Sequence, residues 1–150
     1  MSKVIAIGCD HGAYELKNKV VKHLTDNGYT VLDKGVNGPE SVHYPVYAHE
    51  VCKEVQSRNA ELGILLCSTG IGMSMAANKH KGIRAALCSD TYSARLTRMH
   101  NDANVLCIGA LVVGSALALD IVDQFVNASF EGGRHKTRVD MFMALEESEK

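Results

Sequence analysis

The chain has 150 residues, enough for one domain with a sizeable core. Its 16 Lys and Arg against 17 Asp and Glu leave a formal charge of −1, so no overall basic field recommends a nucleic-acid partner. No run approaches the roughly 18 apolar residues that cross a bilayer, and the apolar stretch at the N-terminus is too short for a secretory leader.

Taken in order, short apolar runs alternate with helical patterns. Residues 4–8 predict a first strand, and residues 13–27 a helix with Leu16, Val20, Val21 and Leu24 at helical spacing, ending at Gly28. Residues 30–34 predict a second strand and 45–56 a second helix. The run 62–67 predicts a third strand, followed by a helix over 72–79. Strands over 83–88 and 105–109 follow, with helices over 91–100 and 115–127. A last helix, over 137–147, comes after the Gly132-Gly133 break. Each strand is apolar throughout, as when helices cover both faces of a parallel sheet. The expected fold is therefore α/β: a three-layer αβα sandwich around a mostly parallel, five-stranded, Rossmann-like sheet, in a single domain spanning residues 1–150.

Five cysteines (Cys9, Cys52, Cys67, Cys88 and Cys107) are odd in number and contain no CxxC pair. That pattern fits buried, reduced thiols in a cytoplasmic protein better than a disulfide framework or a metal site.

In such a fold ligands sit beyond the carboxyl ends of the strands. Polar groups gather at two of those corners. Asp10-His11 follows the first strand and reads either as acid/base chemistry or as a polar turn capping the next helix. Cys67-Ser68-Thr69-Gly70-Ile71-Gly72 follows the third. There a strand-end thiol, a Gly-rich turn with free N–H groups and a helix N-terminus come together, which favours a thiolate or an anionic intermediate. The turn is no Walker A sequence and lacks the third glycine of a dinucleotide fingerprint, whose acidic partner has only Asp33 as a candidate. His100-Asn101-Asp102 ends a helix, and Arg134 and Arg138 stand four apart, one face if helical, suited to a phosphate or to a solvated basic surface.

The strings Gly8-Cys9-Asp10-His11, Cys67-x-Thr69-Gly70-x-Gly72, Ala76-Ala77-Asn78-Lys79, Gly82-Ile83-Arg84-Ala85, His100-Asn101-Asp102-Ala103-Asn104 and Gly132-Gly133-Arg134-His135-x-x-Arg138 run in order over essentially the whole chain. Together they resemble the type B ribose-5-phosphate isomerases, a family that also holds galactose-6-phosphate and allose-6-phosphate isomerases. The resemblance implies an aldose–ketose isomerase that works through an enediolate without cofactor or metal. It implies Cys67 as the base, Thr69 assisting at the substrate oxygens, and Asp10 and His100 serving ring opening. It further implies that the Ser68, Gly70, Ile71 and Gly72 turn stabilises the enediolate, that His11, Arg134 and Arg138 hold the phosphate, and that Asn101 and Tyr44 border the sugar. In relatives the His-Asn pair comes from a neighbouring subunit, which implies a homo-oligomer, dimer or tetramer, with a shared site. Three positions depart from the family pattern: Ser68 where relatives usually carry Gly, His43 where many carry Asp, and Leu111 where many carry Arg. If position 68 needed φ > 0, its Cβ would cost on the order of 1–2 kcal/mol. All three bear on which sugar phosphate is used, a pentose or a hexose.

Overall fold

The computed structural model describes residues 2–149. Its element order is β1 (Val4–Cys9), α1 (Tyr14–Asp26), β2 (Thr30–Asp33), α2 (Tyr44–Gln56), β3 (Leu62–Cys67), α3 (Ile71–Ala77), β4 (Ala85–Leu87), α4 (Thr91–Asn101), β5 (Val105–Gly109), α5 (Ser115–Asn127) and α6 (Arg134–Ser148). The five strands form one sheet in the order β2-β1-β3-β5-β4, and every pairing is parallel. The α/β architecture read from the alternation is thus present, with the sheet wholly parallel.

Each face of the sheet carries its own apolar layer. On one side Leu16, Val20 and Leu24 of α1, Ala94 of α4 and Ile121, Val122 and Phe125 of α5 pack on Ile5, Ile7, Ile64, Leu66, Leu106 and Ile108. On the other, Val51 and Cys52 of α2 and Met73 and Ala77 of α3 pack on Ala6, Leu65, Val105 and Cys107. Glycines set the closeness of that second layer: a Cβ at Gly8 or Gly63 would stand 2.8 Å from a methyl of Val51. Helix α2 therefore seats Val51 in a notch cut by two neighbouring strands.

Of the element boundaries that shift from the sequence pattern, those of β4 and α6 each have a local reason. Strand β4 is only three residues long because the Arg84 N–H is taken by the Asn104 side chain and the Ile83 N–H by the His80 carbonyl, not by a ladder. Helix α6 begins at Arg134 because Gly132 and Gly133, at φ 71° and 57°, turn the chain abruptly into it. Arg134 and Arg138 therefore share one helical face.

Beneath the β2–α2 connection lies a fully buried lysine. The Lys17 Nζ ion-pairs with Asp33 at 2.9 Å and donates to the Asn37 side chain at 2.5 Å. The pair satisfies a charge that burial would otherwise penalise heavily, and it ties residues 33–37 to α1. Asp33 is consequently occupied by a cation and not available to a ribose.

The order β2-β1-β3 makes the crevice between β1 and β3 a topological switch point, where the chain departs in opposite directions on the two sides.

Candidate active site

The switch point is where the first and third strands deliver their polar corners. Strand β3 ends at Cys67, whose side chain is 6 % exposed. The thiol accepts a hydrogen bond from the Gly70 N–H at 3.1 Å. Gly70 is the N-cap of α3 at φ 76°, and an added Cβ there would meet Leu87 Cδ1 at 2.6 Å and the β5 backbone at 2.9–3.0 Å. Both the backbone angle and the lack of space demand glycine. On the other flank a Cβ at Gly109 would stand 2.6 Å from the Thr69 carbonyl, so β5 holds the turn from behind. The Ala110 and Leu111 N–H groups donate to the Cys67 and Ser68 carbonyls, at 2.9 and 3.0 Å. The exposed Thr69 hydroxyl accepts from the Ile71 N–H at 3.2 Å. With the Ile71 N–H so occupied, the N–H groups of Gly72 and Met73 still have no intrahelical carbonyl by helix geometry, and so the opening turn of α3 presents donors.

Strand β1 supplies the neighbouring corner. Asp10 is buried, and its Oδ1 accepts from the Gly12 N–H at 2.9 Å, so it closes an Asx turn and does not cap α1. The His11 Nδ1 accepts from the Val42 N–H at 3.2 Å, which leaves the ring proton on Nε2 in the neutral form. Tyr44 opens α2 and lays its ring against Gly72, where a Cβ would come within 2.6 Å of Cζ.

Ser68 is the departure whose consequence is visible here. Among the described residues, the non-glycine residues at positive φ are Arg58 and Asp102, so Ser68 carries no left-handed strain. Its hydroxyl instead sits over Gly12, 2.5 Å from where a Cβ at that position would lie. Gly12 is the residue that makes room for Ser68, a pairing invisible in sequence because 56 positions separate the two.

Beside this corner lies a cavity of about 410 Å³, lined by His11, Gly12, Lys19, Leu111 and Gly114 among others. Helices α1 and α5 both begin at its wall without a side-chain cap, at Ala13 and Gly114, so backbone donors and two positive dipole ends face it. Leu111 is 80 % exposed at its rim.

The remaining sequence candidates lie elsewhere in the same chain. His100 and Asn101 close α4, which runs back from the carboxyl end of β4 to the start of β5. Thr69 abuts Gly109 at the far end of β5, so the two groups are separated by on the order of 15 Å, the length of that strand. The structure thus brings together Asp10, His11, Tyr44 and residues 67–72, and it places His100 and Asn101, with Arg134 and Arg138 on the helix whose His135 stacks on His100, toward the opposite end of the strands. Arg134 and Arg138 are exposed, and no described residue pairs with either guanidinium.

Two residues that sequence reasoning did not single out accompany His100. The His100 ring stacks on His135 with centroids 4.1 Å apart and planes at 7°. Its Nε2 lies 3.3 Å from Glu131 Oε1, while His135 Nε2 lies 3.9 Å from Glu131 Oε2. Burial, with the adjacent His100, holds the His135 pKa below its ordinary value. The signal for Glu131 was its four-residue spacing from His135 across the double glycine.

A strand-end thiol supplied with a backbone donor, at the switch point of a parallel α/β sheet and beside a cavity walled by two helix N-termini, is the arrangement of an enzyme acting on small substrates. The chain belongs to the Ribose/Galactose Isomerase family, whose model matches residues 5–142. It is 50 % identical to ribose-5-phosphate isomerase B of Escherichia coli over 145 residues, 97 % of each chain. Among solved structures, ribose-5-phosphate isomerase B of Clostridium thermocellum superposes with a TM-score of 0.96 at 49 % identity, covering 98 % of this chain and 99 % of that one. The Mycoplasma genitalium enzyme with bound ribulose-5-phosphate superposes with a TM-score of 0.93 at 41 % identity, covering 98 % of both.

Proposed function

We propose that the protein interconverts ribose 5-phosphate and ribulose 5-phosphate by moving a proton between C2 and C1 through an enediolate. The observation that carries this reading is the Cys67 thiol held against the Gly70 N–H at the switch point. That contact fixes the sulfur at the strand end, and its thiolate is the form that abstracts the C2 proton. As that proton leaves, charge develops on O1 and O2. The N–H groups opening α3, with the Thr69 hydroxyl, stand where this charge appears, and each such donor is worth roughly 3 kcal/mol to the transition state. Protonated Cys67 then returns the proton to C1. Asp10 and His100 serve the preceding ring opening, and Tyr44 and Asn101 border the sugar. No cofactor is needed, because a thiol and the hydroxyl protons of the substrate account for every transfer.

The phosphate is held by His11, by the uncapped starts of α1 and α5, and by Arg134 and Arg138, two forks on one helical face. Because His100 and the two arginines lie a strand's length from Cys67, a complete site takes Cys67 from one copy and His100 from another. The smallest active unit is then a homodimer, working in the cytoplasm. Mixing tests this. Cys67→Ser and His100→Asn are each expected to be inactive. After dissociation and reassociation at equal ratio half the dimers are mixed, each with one intact site of two, so about a quarter of wild-type activity should return. No recovery would refute the shared site.

A hexose 6-phosphate of the same reaction type is the second reading, favoured by Leu111 at the cavity rim in place of a cation. Turnover on ribose, allose and galactose phosphates decides between them. A tenfold preference in kcat/KM for a hexose, about 1.4 kcal/mol of transition-state binding, would displace the pentose.

A further inference from the structure

We infer that His100, Glu131 and His135 form a binding site for a transition-metal dication of the zinc type, and that its occupation switches the enzyme off. The two imidazoles and the carboxylate come from the end of α4, the loop before α6 and the first turn of α6. Three separate constraints assemble them. The Glu131 N–H donates to the Met99 carbonyl at 3.0 Å, which fixes the loop beside the last turn of α4. Gly132 and Gly133, both left-handed, fold the chain back so that Glu131 faces His135. The imidazole of His135 lies flat on that of His100.

One ligand atom from each residue falls within 4.8 Å of the other two. Tetrahedral zinc, with bonds near 2.0–2.1 Å, sets its ligand atoms about 3.3 Å apart. His100 Nε2 already lies 3.3 Å from Glu131 Oε1, and His135 Nε2 lies 3.9 Å from the other carboxylate oxygen, Oε2. Closing the set requires that the carboxylate turn to offer one oxygen to both imidazoles, or both oxygens to the ion, and that the two rings splay from their stack so that each plane contains the ion. Two neutral imidazoles and one carboxylate suit zinc, nickel or copper far better than magnesium or calcium, which prefer all-oxygen shells. The fourth position faces outward from the chain, toward the shared site, since the His100 and Glu131 side chains are 34 % and 44 % exposed in the single chain.

An ion here withdraws His100 from proton transfer. This inhibitory consequence rests on the role proposed for His100, whereas binding itself does not. The probes are Zn2+ and Co2+ added to the full-length protein. The expected result is one equivalent bound per chain, a Co2+ spectrum without a thiolate charge-transfer band, and activity lost with a midpoint equal to the binding midpoint and restored by EDTA. Mg2+ should leave activity unchanged. His135→Ala and Glu131→Gln should each weaken Zn2+ binding at least tenfold, while Cys67→Ser binds as wild type does. Binding unaffected by His135→Ala and Glu131→Gln, or a thiolate band in the Co2+ spectrum, overturns the site. Tight, His135-dependent binding with full activity would uphold the site and instead remove His100 from the proposed mechanism.

Discussion

Replacing Gly70 by Ala separates two effects that glycine combines at the start of α3. The first is backbone strain: a Cβ at φ 76° costs about 1–2 kcal/mol. The second is collision, because the added methyl would stand 2.6 Å from Leu87 Cδ1 and 2.9–3.0 Å from the backbone of Ile108 and Gly109. The leucine tip can rotate, but the backbone at the end of β5 cannot, and overpacking of this kind costs about 1–3 kcal/mol more. The sum is about 2–5 kcal/mol, or roughly 4–20 °C in Tm for a chain of this size. Gly82 supplies the matched control, since its φ is 78° and nothing lies within 4 Å of the added Cβ. Gly82→Ala should therefore cost only the strain, about 1–2 kcal/mol. Relief of the collision moves Gly70 away from Cys67 and weakens the N–H to sulfur hydrogen bond. A bond to a charged acceptor is worth about 1.5–3 kcal/mol, so kcat should fall ten- to a hundredfold in the Gly70 variant alone. Thermal denaturation, steady-state isomerisation and the pH dependence of Cys67 alkylation read these effects separately. Equal Tm losses in the two variants, with unchanged Cys67 reactivity, would refute the argument.

Three further predictions address other parts of the molecule. Gly12→Ala should destabilise because its methyl meets the Ser68 hydroxyl, and adding Ser68→Gly should recover most of the loss; a double-mutant coupling near zero would show that the two do not touch in solution. Native-state alkylation near pH 8 should label Cys67 first and abolish turnover, because burial pushes Cys9 and Cys88 up to about 11 and Cys52 to about 12, and raises Cys107 as well; mass spectrometry finding equal labelling elsewhere would contradict this. His135 has a folded pKa below its unfolded one, so the unfolded chain takes up the proton more readily and stability falls as pH drops below about 6.5. His135→Asn should flatten that part of the urea stability curve measured between pH 7 and 5, and an unchanged slope would count against the assignment.

How far the sequence carries depends on which physics is local. The apolar runs that became β1, β3 and β5 were legible because strands covered on both faces need no alternation. The Cys67 turn was legible for the same reason, since a Gly-rich stretch between a buried strand and a helix leaves few conformations. Strand order was not, because pairing β1 with both β2 and β3 is decided by long-range packing. The start of α6 was misplaced by three residues because a double glycine reads as a break, whereas its left-handed turns deliver Arg134 directly into the helix. The parts played by Gly12 and Glu131 are not legible in the sequence, since each acts on a residue distant in the chain: Ser68 for one, His100 for the other.

The notch that receives Val51 has a consequence for any attempt to make this enzyme hardier. Filling core glycines is a common route to stability. Here a methyl at Gly8 or Gly63 would have to lift α2 off the sheet by a few tenths of an ångström. The same helix begins with Tyr44, whose ring rests on Gly72 in the first turn of α3. A gain of buried area under the middle of α2 would thus be transmitted as a displacement at its N-terminus, beside the turn proposed to receive the sugar. Thermal tolerance and turnover are set against each other through one helix, and the two small strand residues fix where that balance lies.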